Sequence, residues 1–192
     1  LAFSSAGETR EAAGRRDGAV APPAAVAGSR RRVLIVSPGW LGDVVMALPA
    51  FRAWRALEPD ADVTVLAKPR VAALWRLCEG VDRLLTLAPG LQGTRRAARA
   101  LRRLDCDAAL LLPGSFRAAW IAWRAGIPRR RGTAGQMRGR LLTERVSLAD
   151  LERAHQAIEN YRLFGLAPPA APPAPRLEIP AAAAAEAREI AG

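Results

Sequence analysis

From Arg32 onward the chain alternates short apolar runs with longer segments whose apolar residues recur every three or four positions. Val33–Ser37 (VLIVS) is apolar at consecutive positions, the mark of a strand buried on both faces. The next segment, Asp43–Pro59, carries apolar residues at helical spacing, and the same change of period then repeats along the chain. The pattern predicts further strands at Asp62–Ala67, Val81–Leu87 and Cys106–Pro113, and helices at Arg70–Gly80, Gly93–Asp105 and Ser115–Gly126. Ile127–Thr133 reads as one more short strand, and a last helix runs from about Leu148 to Phe164, stopped by Gly165. Short strands alternating with helices make βαβ units, so the fold class is α/β: a Rossmann-like parallel sheet with helices on both faces.

Outside this region the periodicity is lost. Residues 1–29 are rich in Ala, Gly, Pro and Ser and read as a disordered N-terminal extension; the chain opens on Leu1, which suggests a fragment or a misplaced start. Residues 30–166 form the Rossmann-like domain. Residues 167–192 read as a Pro/Ala-rich linker that runs into "AAAAAEAREIAG", the opening of a further domain that is missing. A length of 192 residues suits one domain of ordinary size with tails.

Composition adds one feature. Hydrophobic residues make up 51% and charged residues 24%, a globular balance, but the net charge is +11, from 29 Lys+Arg against 18 Asp+Glu. Lys68 is the only lysine, so the excess is guanidinium, whose planar fork suits phosphate and carboxylate. Nucleic acid, an anionic lipid surface and a phosphorylated or acidic sugar are all open as partners. A GC-rich coding sequence also loads a protein with Ala, Arg, Gly and Pro. Cys78 and Cys106 are distant, with no CxxC pair and no histidine cluster, which fits a reducing compartment and no metal. No apolar run reaches the roughly 18 residues that span a bilayer, and the first thirty residues lack a signal-type core, so a cytoplasmic location is expected.

Ligands of open parallel sheets gather beyond the carboxyl ends of the strands. The first such loop is Ser37–Gly42, "SPGWLG", which is neither the dinucleotide fingerprint nor a P-loop. It offers Gly39 and Gly42 for close backbone approach, Trp40 as a stacking surface for a sugar, and a helix N-terminus that attracts negative charge. Asp43 stands at that N-terminus, and two roles are open to it. It caps the helix, the commoner role on residue physics alone, or it takes a proton from an attacking hydroxyl. After a later strand, "LLLPGSFRAAW" repeats the geometry: Ser115 suits an N-cap, while Arg117, a cation opposing the helix dipole, calls for an anion nearby. Lys68 and Arg70 end the second strand, so that three cations would line one cleft. The arginine-rich stretch Arg129–Arg140 reads as either a solvated loop or a contact with an anionic acceptor or a membrane. His155 has no nucleophile beside it and suits packing or hydrogen bonding.

In order along the chain, "VLIVSPGWLGDVVMALPAFRAWRALEPDADVTVLA", "GVDRLL", "DAALLLPGSFRAAWIAWRAGIPRRRGT" and "RLLTERVSL...AHQAIENYRLFGL" resemble the N-terminal half of the ADP-heptose:lipopolysaccharide heptosyltransferases of glycosyltransferase family 9. The heptosyltransferase II type, with its P-x-W-x-G-D loop, is the most similar. The resemblance implies a GT-B enzyme of two Rossmann-like halves. This half would hold the acceptor, the Kdo-containing inner core of lipopolysaccharide or its heptosylated form, and the missing half would hold the donor ADP-heptose. It implies Asp43 as general base, with Gly42, Trp40, Lys68, Arg70, Ser115 and Arg117 at the acceptor, no cofactor and no bound metal. It also implies a monomer at the inner face of the cytoplasmic membrane, with no nucleic acid partner. The rivals are a nucleotide- or dinucleotide-binding oxidoreductase domain and a non-catalytic basic binding module.

Overall fold

The computed structural model describes residues 30–135, 137–151, 155–171 and 173–177, together with 185, 188 and 189. The expected extension over residues 1–29 and most of the expected second-domain start lie outside the described residues. Within them, six parallel strands form one sheet in the order β3-β2-β1-β4-β5-β6. The strands are β1 (Arg32–Val36), β2 (Asp62–Ala67), β3 (Arg83–Thr86), β4 (Ala108–Leu111), β5 (Arg129–Thr133) and β6 (Glu144–Val146). The helices are α1 (Leu41–Leu57), α2 (Pro69–Arg76), α3 (Gly90–Leu104), α4 (Phe116–Arg124) and α5 (Gln156–Leu163). The expected α/β class and Rossmann-like sheet are therefore observed.

The reading of β1 as buried on both faces holds residue by residue. Val33 and Ile35 pack into one core with Phe51, Trp54, Trp75 and Phe164, contributed by α1, α2 and the end of α5. Leu34 and Val36 point the other way, toward Leu101 of α3 and Ile121 of α4. Alternate side chains of a strand face opposite ways, so a strand covered by helices on both sides must be apolar throughout. An aromatic cluster anchors the first core: Phe51 meets Trp75 edge-on at 5.5 Å and Phe164 at 6.3 Å. Pairs of this kind add about 1 kcal/mol beyond the area they bury.

Two expectations need correction. The single helix from Leu148 to Phe164 is a short 3-10 turn at Ala149–Leu151 and then α5, which starts at Gln156. His155 is its N-cap, with Nδ1 accepting from the Ala157 N–H at 3.2 Å. Apart from Arg140, which is exposed, the arginine-rich stretch is neither a solvated loop nor an open anion patch. Arg129 and Arg131 both bind Glu144, Arg131 also donates to the carbonyls of Arg162 and Leu163 at the end of α5, and Arg138 is fully buried. Arg138 donates to the Pro113 carbonyl and to Thr133 Oγ1, tying the ends of β4 and β5 together. Burial lowers its pKa from the ordinary guanidinium value. β6 was not foreseen; its three residues are too few to carry a period.

Candidate functional site

The strand order reverses between β1 and β4, which run to opposite edges of the sheet from this central pair. Their following loops diverge there and leave a crevice at the carboxyl ends. A cleft of about 530 Å³ occupies the place. The β1–α1 loop (Ser37–Trp40), the β4–α4 loop (Pro113–Ser115), Lys68 after β2 and Thr133 at the end of β5 line it, and α5 closes one side with Gln156, Glu159 and Asn160.

The β1–α1 loop is fixed from below and from the flank. The indole N–H of buried Trp75 donates to Ser37 Oγ at 2.8 Å, and Ser37 donates on to the Pro38 carbonyl. Arg70 donates from Nε to the Gly39 carbonyl at 2.6 Å and stacks over the Trp40 ring at 4.2 Å. Lys68 lies over Gly39, where a Cβ would come within 2.8 Å of Nζ, a flexible side-chain end that can swing aside.

Asp43 sits in the first turn of α1, among the cleft residues. Trp40 is the N-cap residue and makes no side-chain cap bond, so Asp43 is not the cap of this helix. Its side-chain hydrogen-bond partner among the described residues is Gln156, whose Nε2 donates to Oδ1 at 3.4 Å across from α5. The carboxylate has no ion pair among the described residues. A carboxylate at a helix N-terminus, held by one amide and open to a cleft, has lone pairs left for a ligand's hydroxyl.

The other expected residues divide into two groups. Trp40, Lys68, Ser115 and Arg117 line the cleft with Asp43, whereas Gly42 and Arg70 lie outside its lining. Arg70 braces the loop from behind through Gly39 and Trp40, and Trp40, 67% exposed, stacks on that guanidinium. A Cβ on Gly42 would meet nothing within 4 Å. Ser115 is the N-cap of α4, accepting from the Ala118 N–H at 3.3 Å. Arg117 spends Nη2 on the carbonyls of Ala88 and Gly90, while its Nε is buried with no partner among the described residues. The Lys68 side chain makes no hydrogen bond or ion pair among the described residues and is the free cation of the cleft.

Sequence reasoning placed a helix over α5 but missed the cleft residues that it carries. Gln156, Glu159 and Asn160 share one helical stripe with buried Leu163, and Asn160, though buried, donates to the Met46 carbonyl and so locks α5 to α1. Polar residues on the stripe that should be apolar were the available signal. The two thiols take no part: burial pushes Cys78 and Cys106 each up to about 11, away from the reactive thiolate. Among the described residues no three His, Cys, Asp or Glu side chains gather as a metal site would require. No helix among them is long and apolar enough to cross a membrane.

Residues 94–191 match the model of glycosyltransferase family 9 (heptosyltransferase). This chain belongs to glycosyltransferase family 9. It is 30% identical over 135 residues to lipopolysaccharide heptosyltransferase 2 of Escherichia coli (strain K12), covering 68% of this chain and 38% of that relative. To lipooligosaccharide heptosyltransferase 2 of Haemophilus influenzae it is 31% identical over 117 residues, covering 58% and 34%. The solved structure of E. coli ADP-heptose LPS heptosyltransferase II superposes with a TM-score of 0.71 at 24% identity, over 84% of this chain and 50% of that one. A family 9 glycosyltransferase from Veillonella parvula gives 0.74 at 18%, over 83% and 48%. At these identities the structures speak for the fold, a Rossmann-like half of the GT-B kind. This family 9 chain spans between about a third and a half of its relatives' length. The family match begins at Thr94, so the loop and Asp43 lie before it.

Proposed function

We propose that this chain is the acceptor-side half of an inverting glycosyltransferase that moves a heptose from ADP-heptose to the inner core of lipopolysaccharide, with Asp43 as general base. Family membership and the heptosyltransferase relatives support the reaction class. The observation that carries the reading within this chain is the place of Asp43. It stands at the helix N-terminus on the cleft wall, uncapping and without an ion pair, at the switch point where such sheets bind ligands.

In this reading the acceptor lies along the cleft with one hydroxyl at Asp43. As the hydroxyl oxygen attacks the anomeric carbon of the donor, its proton passes to the Asp43 carboxylate. The bond from that carbon to the phosphate oxygen breaks on the opposite side, and ADP leaves with the electron pair, so configuration inverts. Gln156 holds the carboxylate in orientation from α5. Lys68 meets an acidic or phosphorylated group of the acceptor, and Arg117 and Ser115 shape the opposite wall. The enzyme would work on the cytoplasmic side, where nucleotide sugars are at hand. The oxidoreductase alternative fits poorly, because the Asp43 carboxylate occupies the helix start that a dinucleotide's pyrophosphate would need.

The test is Asp43→Asn in the complete transferase that contains this domain. Single-turnover transfer to a lipopolysaccharide-core acceptor should be lost while acceptor affinity stays within a few fold. Turnover near that of the unaltered enzyme would remove Asp43 from the chemistry.

A further inference from the structure

Away from the cleft, α3 and α4 share a surface with an unusual content. α3 carries Arg95, Arg96, Arg99, Arg102 and Arg103 and no acidic residue. Arg95, Arg99 and Arg102 fall at i, i+4 and i+7, one stripe along the helix, and share a groove with Trp120 and Arg124 of α4. On α4, Phe116, Trp120, Trp123 and Arg124 repeat that spacing, while Ala118, Ala119, Ile121 and Ala122 take the buried side. Phe116 is 45% exposed, Trp123 48%, and Leu91, at the start of α3, 60%. Among the described residues none of these arginine side chains has an ion pair or hydrogen bond, although the protein pairs arginines repeatedly elsewhere.

We propose that the α3–α4 face is a docking surface for an anionic lipid bilayer. Each guanidinium offers a planar fork that matches a headgroup phosphate, and unpaired cations close to an anionic leaflet are drawn to it. Phe116, Trp123 and Leu91 stand among those cations as the apolar groups that enter the headgroup boundary, where tryptophan is favoured. A nucleic acid fits this face less well. Apart from Gln92 at its edge, the exposed side chains are arginine or apolar, which leaves almost nothing to read a base edge, and Trp120 packs into the core rather than standing free for stacking. Leu91 and Phe116 begin their helices at the cleft end of the sheet, where Arg117 stitches the two loops together through Ala88 and Gly90. Docking by this face brings the cleft rim to the headgroup layer, whatever chemistry the cleft performs.

The experiment is sedimentation of the 192-residue chain with vesicles of phosphatidylcholine alone and with added phosphatidylglycerol. The chain should bind the mixed vesicles and not the neutral ones. Arg95→Gln, Arg99→Gln and Arg102→Gln together should weaken binding about 100-fold, whereas the equal charge loss in Arg30→Gln, Arg76→Gln and Arg140→Gln should weaken it only a few fold. Bromine-labelled acyl chains should quench tryptophan fluorescence in the unaltered chain, and Trp123→Phe should abolish most of that quenching. Equal losses in the two triple variants, or binding to neutral vesicles, would reduce the effect to diffuse charge or non-specific adsorption and overturn the proposal. So would a single-stranded oligonucleotide that displaces the vesicles and loses its own affinity in the first triple variant, since the face would then belong to nucleic acid.

Discussion

At the end of the sheet where the strands begin, Arg31 pairs with Glu58, Arg32 with Asp105 and Asp107, Arg55 with Asp82, Arg83 with Asp62, and Arg129 and Arg131 with Glu144. At the end where the strands stop, Asp43, Lys68 and Glu159 line a cleft with no ion pair among the described residues. One set of charges is consumed by the fold and the other is left to face a ligand. Charge near a parallel sheet therefore has two meanings, and the partner of each group separates them. Paired charges at strand starts fix register and close helix ends; unpaired charges at strand ends are held by backbone geometry and by neighbours such as Gln156.

The contrast can be broken most directly at Asp43. Asparagine there should cut turnover of the complete transferase by about 10²- to 10⁴-fold, the usual reach of a general base, with an unchanged melting temperature. A clear loss of stability with turnover intact would place Asp43 among the structural charges. Arg138 supplies the opposite case, a cation near the same end that is wholly buried. Arg138→Met should destabilise by about 2 to 4 kcal/mol in denaturant unfolding, because the Pro113 carbonyl and Thr133 lose charged donors, offset in part by relief of a desolvated charge. A neutral or stabilising result would show that burial costs as much as the hydrogen bonds return.

Glu144 sharpens the comparison through pH. Burial pushes its carboxyl up, but the hydrogen bonds and charges of Arg129 and Arg131 outweigh that and hold it below the ordinary 4.5. Since folding lowers this pKa, the stabilisation is present above the unfolded value and is lost as pH falls through the folded one. Glu144→Gln should cost about 1 to 2 kcal/mol at neutral pH, and the gap to the unaltered chain should close as pH drops below 4.5. A gap constant with pH would assign the effect to shape rather than charge. The smallest change is expected at Lys68: Lys68→Met should leave unfolding within about 0.5 kcal/mol, as surface substitutions do. The same change should raise KM for an anionic acceptor about tenfold with kcat little altered, and a stability loss above 1 to 2 kcal/mol would show that the side chain is part of the fold.

Much of the fold was legible in the chain because apolar period is a local property. β1, β2 and α1 fall within two residues of their expected bounds, since a strand flanked by helices is apolar at nearly every position. α5 and β6 were misjudged for the converse reason. β6 gains its place from pairing with β5, and α5 keeps polar residues on its inner stripe because α1 and the cleft supply their partners. Among the site residues, Asp43, Trp40, Lys68, Ser115 and Arg117 were marked by their position after strands, a rule of topology that sequence order already contains. Arg70 and Arg117 were named for their charge, yet nothing local says that one lies over Trp40 and the other on the carbonyls of a neighbouring loop.

By itself, then, the sequence determined the strand and helix alternation, the parallel sheet that follows from it, and the placing of one acidic residue behind the first glycine loop. Those depend on the spacing of apolar groups and on which residues follow a strand. Tertiary structure alone decided which of the many guanidiniums are spent on carboxylates and carbonyls, which side chains α5 sends across to Asp43, and which cation stays free in the cleft. The physical reason is that hydrogen bonds and ion pairs act over a few ångströms between residues as far apart as Asp43 and Gln156, and only the packed sheet brings such residues together.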